Sequence, residues 1–216
     1  MEVTMENRMR KIPCARNHRL FLKAIPGHFA TNHSHSNYYV DMSTLKSRQN
    51  EAFAVAADIA PRVMNTTVVD TVLCLDGTEV VGAYLAEELC RSGIQIMNTH
   101  GTIYIVSPEY SAGQMIVRDN ILPMIQGKNV LLLSATVSSG ISCQRSIESI
   151  EYYGGRVSAV AAIFSSISEC GGHPIHTVFG LDDLPDYRTF PPHQCPMCQN
   201  REKLDALVNA YGYSKL

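Results

Sequence analysis

The chain has 216 residues, 45% of them hydrophobic, and a formal net charge of -2. That is enough for one substantial core, and so small a charge gives nucleic-acid binding no electrostatic support. No apolar run approaches the roughly 20 residues of a membrane span, and the opening MEVTMENRMRK lacks the apolar stretch of a secretion signal, so a cytoplasmic protein without a membrane partner is expected.

Residues 1–45 read as an N-terminal arm and hood. Within them Gly27–Met42 has two short extended stretches around a polar centre, the pattern of a hairpin. Leu45–Met64 carries Phe53, Val55, Ala56, Ile59 and Ala60 at helical spacing and is expected to end near Pro61. An alternating pattern follows. Val68–Leu75 predicts a strand with a turn at Asp76-Gly77, Val80–Cys90 a helix, and Ile94–Met97 and Ile103–Val106 short strands. Ser107–Gln114 reads as a polar loop. Val130–Leu133 is apolar without alternation, as in a strand covered on both faces. Ser142–Tyr153 predicts a helix closed by Gly154-Gly155, and Val157–Phe164 another buried strand. Repeated strand–helix–strand units imply an α/β fold with a parallel sheet in a single domain over 1–216. From residue 171 the tail looks irregular, with a last helix over Arg201–Tyr211 that places Leu204, Leu207 and Val208 on one face.

The stretch of greatest chemical interest is Thr136, Val137, Ser138, Ser139, Gly140, Ile141 and Ser142, between a strand and a helix. The first N–H groups of a helix lack internal partners and face the positive end of its dipole, so such a turn suits a phosphate. Ordinary turn and cap chemistry would use the same residues. Asp76 and Glu79 flank another strand-to-helix turn, with Gly77 and Thr78 between them, and are candidates for a cation or a polar ligand edge. Acidic residues also favour a helix N-terminus for its dipole alone.

Seven Cys are spread through apparent strands and helices, which argues against a disulfide framework. Cys195 and Cys198 form a CPMC pair with the spacing of half a structural zinc site. Two more ligands would be needed, and Cys170, His173, His176 and His193 are nearest in sequence. The pattern favours a Pro-containing turn with two reduced thiols over a closed site. His28, His33 and His35 cluster in the hairpin without a Cys or carboxylate at ligand spacing, which favours a solvated turn over a metal site.

VLLLSATVSSGISCQRSIESIEYYGGRVSAVAAIF resembles the signature segment of type I phosphoribosyltransferases. GHFATNHSHSNYYVDM is similar to the N-terminal hairpin of the orotate members, with Phe29, Ser36, Tyr38, Tyr39 and Asp41 fitting that pattern. FPPHQCPMC is similar to a Pro–Cys-x-x-Cys tail of several members. The resemblance implies a central mostly parallel sheet with helices on both faces and an N-terminal hairpin or hood. It implies a Mg²⁺-dependent glycosyl transfer from phosphoribosyl pyrophosphate to a pyrimidine, a phosphorylated ribose or nucleotide ligand, and a homodimer. Phosphate would sit at 136–142. The candidate base, ribose or cation region is Asp76, Gly77, Thr78, Glu79, Phe29, His35 and Ser36, although the family usually offers a basic residue in the turn that here holds Asp76 and Glu79.

The chain departs from the family where the chemistry lies. Ser134 and Ala135 stand where the family carries the acidic pair that holds the ribose hydroxyls. Val106–Met115 stands where the orotate enzymes carry a basic mobile loop, and contains no Lys, Arg or His. These replacements lead to the expectation that ordinary transfer is weak or absent, and to the alternative of a non-catalytic nucleotide-monophosphate or phospho-sugar binding protein on the same fold.

Overall fold

A computed structural model describes residues 5–64, 67–91, 101–111 and 114–216. In chain order the elements are β1 (Arg10–Pro13), β2 (Phe21–Ala30), β3 (His35–Asp41), α1 (Ser43–Ser47), α2 (Gln49–Val63), β4 (Thr71–Cys74), α3 (Glu79–Cys90), β5 (Tyr104–Val106), β6 (Glu109–Ser111) and β7 (Gln114–Ile116). They continue with β8 (Asn129–Val137), α4 (Ile141–Tyr152), β9 (Arg156–Ser165), β10 (Glu169–Cys170), β11 (His173–Phe179), β12 (Thr189–Phe190), α5 (Pro196–Gln199), β13 (Ala206–Asn209) and β14 (Gly212–Lys215).

The central sheet has the order β10-β11-β9-β8-β4-β5. Every pair in it is parallel except β10 with β11 at one edge. Side chains alternate across it as the strand period requires. Val72, Cys74, Leu131, Leu133, Ala159 and Ala161 pack against Val55, Ile59, Leu85 and Leu89 of α2 and α3. Leu73, Val130, Leu132, Val160 and Ala162 face the other way, onto Cys143, Ile147 and Ile150 of α4. Two-sided cover is why these strands read as unbroken apolar runs. The expected α/β architecture, with helices on both faces of a mostly parallel sheet, is present.

The α3 helix approaches β4 closely because residue 82 has no side chain. A Cβ on Gly82 would lie 2.5 Å from the Cys74 sulfur. Gly82→Ala improves intrinsic helix propensity but overfills this contact, so a net loss of about 1–3 kcal/mol is expected in urea unfolding. A gain in stability would mean that the Cys74 side chain yields freely.

The second sheet has the order β12-β3-β2-β13-β14, with β1 also paired to β2. Ile25, Phe29, Tyr39 and Ala206 form its small core. This sheet corrects the helix expected over Arg201–Tyr211, because residues 206–215 form the β13–β14 hairpin instead. Ala206 and Leu207 pair in parallel with Phe29 and Ala30 of β2, and Ala206 is fully buried. The spacing of Leu204, Leu207 and Val208 fits one helix face, but pairing with a distant strand overrides it. Nor is the tail irregular from residue 171. His173–Phe179 is the β11 strand beside β9, and its interleaved His and Thr residues hide the apolar pattern.

The α2 helix ends at Val63, near Pro61 as expected. Two further expectations change. Ser107–Gln114 is not a plain loop, since Glu109–Ser111 and Gln114–Ile116 pair as a hairpin. The β8 strand continues through Ser134, Ala135, Thr136 and Val137. The strand expected at Ile94–Met97 lies outside the described residues.

Candidate functional site

A cleft of 1350 Å³ opens between the hood sheet and the C-terminal ends of β4 and β8. Crevices at this end of parallel strands are where open α/β sheets bind ligands. Thr136, Ser138, Ser139 and Ser142 line it on one side, Asp76 and Ala135 form part of its floor, and Ser36, Tyr38 and Tyr39 line the hood side.

The β8–α4 turn is shorter than the sequence implies. Thr136 and Val137 are still strand, Ser138–Gly140 make the turn, and Ile141 and Ser142 begin the helix. Gly140 is the N-cap with φ 77°, and no side chain caps the helix. The first helical bond runs from Gln144 N–H to the Gly140 carbonyl at 2.8 Å, so no intrahelical partner serves the N–H groups of Ile141, Ser142 and Cys143. A Cβ on Gly140 would meet Ile167 Cδ1 at 2.9 Å. Neither neighbouring long side chain plugs the turn. Ile141 is exposed, and Gln144 Nε2 donates along the helix to Glu148 at 2.9 Å. From behind, the Ser166 hydroxyl donates to the Ser138 carbonyl at 2.9 Å. Tyr187 adds a hydroxyl beside Ser138, and burial pushes its phenol up to about 12.

Ser134, where the sequence resemblance leads one to expect an acidic residue, has a carboxylate close to it. The Ser134 hydroxyl donates to Asp76 Oδ2 at 2.7 Å. Asp76 follows β4 in the left-handed region, with φ 59°, and lines the cleft. A negative charge therefore sits beside position 134, supplied by the adjacent strand rather than by β8 itself. Sequence reasoning singled out Asp76 without this pairing, because 58 residues separate the two side chains.

Lys46 is the other feature the sequence reading missed. Its ammonium donates to the Asp76 carbonyl at 2.6 Å and to the Ala210 carbonyl at 2.8 Å. It projects from α1 over the turn after β4, bringing a cation to a loop whose own sequence is acidic. Arg145 of α4 also lines the cleft. The β6–β7 hairpin brings Tyr110 beside Ser146 and near Asp76. Its neighbouring Arg118 is bound by both carboxylate oxygens of Glu109, at 2.7 and 2.8 Å. These bonds hold the Glu109 carboxyl below its ordinary range.

Other expected contacts lie elsewhere. Phe29 is fully buried in the hood core, away from the cleft. Thr78 is fully buried, and its hydroxyl donates to the Leu75 carbonyl at 2.8 Å. Glu79 accepts from the Ser107 hydroxyl at 2.6 Å and borders a small separate hollow with α3 residues. Gly77 has φ 76° and serves the turn that Lys46 covers. Ser36 lines the cleft but donates its hydroxyl to the Tyr38 carbonyl at 2.9 Å. His35 turns out of the cleft towards Cys198, with Nδ1 3.3 Å from its sulfur. The ligands sought near CPMC are also corrected, because it is His28 and His35, not Cys170, His173, His176 or His193, that join Cys195 and Cys198 in one cluster.

No protein-family profile matches the chain. An orotate phosphoribosyltransferase of Caldicellulosiruptor bescii is 25% identical over 182 residues, covering 81% of this chain and 85% of that one. The orotate phosphoribosyltransferase of Caldicellulosiruptor saccharolyticus is 25% identical over 178 residues, covering 81% and 84%. The chain resembles orotate phosphoribosyltransferases. Among solved structures, the orotate phosphoribosyltransferase of Mycobacterium tuberculosis with inorganic phosphate matches with a TM-score of 0.44 at 17% identity, covering 70% of this chain and 83% of that one. The adenine phosphoribosyltransferase of Rhodothermus marinus matches at 0.48 and 13% identity, covering 82% and 96%. The resemblance to the two orotate phosphoribosyltransferases covers 81% of the chain. Among the described residues no helix is long and apolar enough to cross a membrane.

Proposed function

We propose that this chain binds a ribose 5-phosphate moiety, as part of a nucleotide monophosphate or a phosphorylated sugar, and does not carry out ordinary orotate transfer. The observation that carries this reading is the uncapped N-terminus of α4 opening on Gly140 within a cleft that also holds a carboxylate. The phosphate would take the N–H groups of Ile141 and Ser142 with the hydroxyls of Ser138 and Ser139. The ribose hydroxyls would donate to Asp76. The β6–β7 hairpin offers no free cation to a pyrophosphate, since its neighbouring Arg118 is already bound by Glu109. In such sites one preorganised charge contact contributes about 3 kcal/mol to the barrier, so several replacements together leave transfer slow.

A second reading, Mg²⁺-dependent transfer from phosphoribosyl pyrophosphate, draws support from two residues. Asp76 brings a carboxylate to the ribose side, and Lys46 brings a cation to the turn after β4. Mg²⁺ binds through one or two carboxylates together with substrate oxygens, and Asp76 fits that role. The ion would supply charge compensation for the departing pyrophosphate.

Calorimetric titration with uridine and orotidine monophosphates, and with phosphoribosyl pyrophosphate with and without Mg²⁺, separates the readings. Monophosphate binding with no Mg²⁺-dependent gain for the pyrophosphate donor is the expected result. Tight binding of the donor only with Mg²⁺ would favour transfer. Heat from none of them would overturn both readings.

A further inference from the structure

We infer that His28, His35, Cys195 and Cys198 form a structural zinc site that fastens the hood hairpin to the C-terminal segment. The four side chains offer one ligand atom each, and these atoms all lie within 4.8 Å of one another. His28 Nε2 is 3.0 Å from His35 Nδ1, 3.5 Å from the Cys195 sulfur and 3.6 Å from the Cys198 sulfur. His35 Nδ1 is 3.3 Å from the Cys198 sulfur. A tetrahedral ion with Zn–S near 2.3 Å and Zn–N near 2.0 Å spaces its nitrogen and sulfur ligands about 3.5 Å apart. The three nitrogen–sulfur spacings of 3.3, 3.5 and 3.6 Å match that requirement.

The protonation pattern points the same way. His28 Nδ1 lies 3.0 Å from the Glu202 carbonyl, which can only accept. The tautomer with its proton on Nδ1 satisfies that carbonyl and leaves the Nε2 lone pair facing the other three groups. An outer hydrogen bond to a backbone carbonyl is the usual device that fixes the tautomer and aim of a zinc-bound imidazole. One proton could bridge one pair of these atoms, but four donor atoms converging on a single point are better satisfied by a cation. Two thiolates and two neutral imidazoles also make a zinc centre of zero net charge. That suits a site where Cys195 is fully buried and His28 is 3% exposed.

The location gives the site its purpose. Pro192–Gln194 and α5 are single turns. Elements so short have little internal stability. His28 lies in β2 and His35 begins β3, so the ion would clamp this segment to both strands of the hairpin. Nearby, Asp205 accepts the His28 backbone N–H at 2.9 Å and pairs with Arg8. The clamp lies apart from the phosphate turn and uses none of its residues.

The test is metal analysis of the untagged full chain purified without chelators, followed by cobalt substitution. The expected result is one zinc per chain, a cobalt spectrum with thiolate charge-transfer and tetrahedral ligand-field bands, and a lower Tm after chelation. Cys198→Ser should lose most of the zinc and shift the cobalt bands, and His35→Gln should shift them too, while Cys170→Ser leaves both unchanged. Cobalt binding to the wild-type chain stands as evidence even where a variant fails to fold. Absence of metal together with no tetrahedral cobalt spectrum would overturn the proposal. So would recovery of Cys195 and Cys198 as a disulfide, or a spectrum that His35→Gln leaves unaltered.

Discussion

Gly140→Ala is expected to weaken binding of inorganic phosphate and of uridine monophosphate by roughly 10–100-fold, the effect of losing one charge-assisted hydrogen bond of about 1.5–3 kcal/mol. The glycine holds φ 77° at the start of α4. An L side chain there costs about 1–2 kcal/mol in the left-handed region. Its Cβ would also press on Ile167 Cδ1 at 2.9 Å. The backbone relieves both strains by turning, and that turn withdraws the Ile141 and Ser142 N–H groups from a bound anion. Lost binding alone would not separate this from general damage, so the opposite end of the same helix supplies the control. Gly154 also has φ 77°, and an added Cβ there would touch only Gln126, at 3.3 Å at the nearest. Gly154→Ala should lower the urea midpoint by a similar amount while leaving phosphate binding unchanged. Equal losses of binding in both variants would show that the turn has no special part in holding the anion.

The sequence makes some of this legible and hides the rest for physical reasons. The β8–α4–β9 unit is clear because both faces of its strands are covered, and Gly154 marks the helix end by the conformation it must adopt. The hood hairpin is legible from its two extended stretches. What stays hidden depends on long-range partners. The β13–β14 hairpin looks helical until Ala206 meets Phe29 of β2. His173–Phe179 looks irregular because His176 and Thr177 interrupt its apolar side chains. In the site, the phosphate turn is local and could be read from adjacent residues. Asp76 beside Ser134, and Lys46 above the next turn, are contacts between separate elements that no spacing rule reveals. The same holds for the His–Cys cluster. Each half looks incomplete alone, and Cys195 lies 160 positions after His35.

Asp76→Asn should separate the two halves of the proposed ligand. Asparagine tolerates the left-handed backbone of this position, with φ 59°, and its side-chain oxygen can still accept from the Ser134 hydroxyl. Only the charge is removed. Ribose hydroxyls donating to a carboxylate should lose about 1.5–3 kcal/mol, so uridine monophosphate affinity is expected to fall roughly 10–100-fold. Inorganic phosphate has no hydroxyls to place there and is repelled by a nearby carboxylate, so its affinity should hold or rise. Parallel losses for both probes would mean that Asp76 merely supports the fold of the turn. Unchanged nucleotide binding would take Asp76 out of the ribose site. The pairing also sets what an acidic residue at position 134 would meet. A carboxylate there would face Asp76 across the 2.7 Å now bridged by the serine hydroxyl. Two carboxylates that close cannot both ionise without raising one pKa strongly. Ser134→Asp alone should therefore bind uridine monophosphate no better than the natural chain. Combined with Asp76→Asn, the same change should restore much of the lost affinity, because one negative charge again stands at the ribose side. Rescue in the double variant is the outcome that marks the two positions as alternative sources of a single carboxylate.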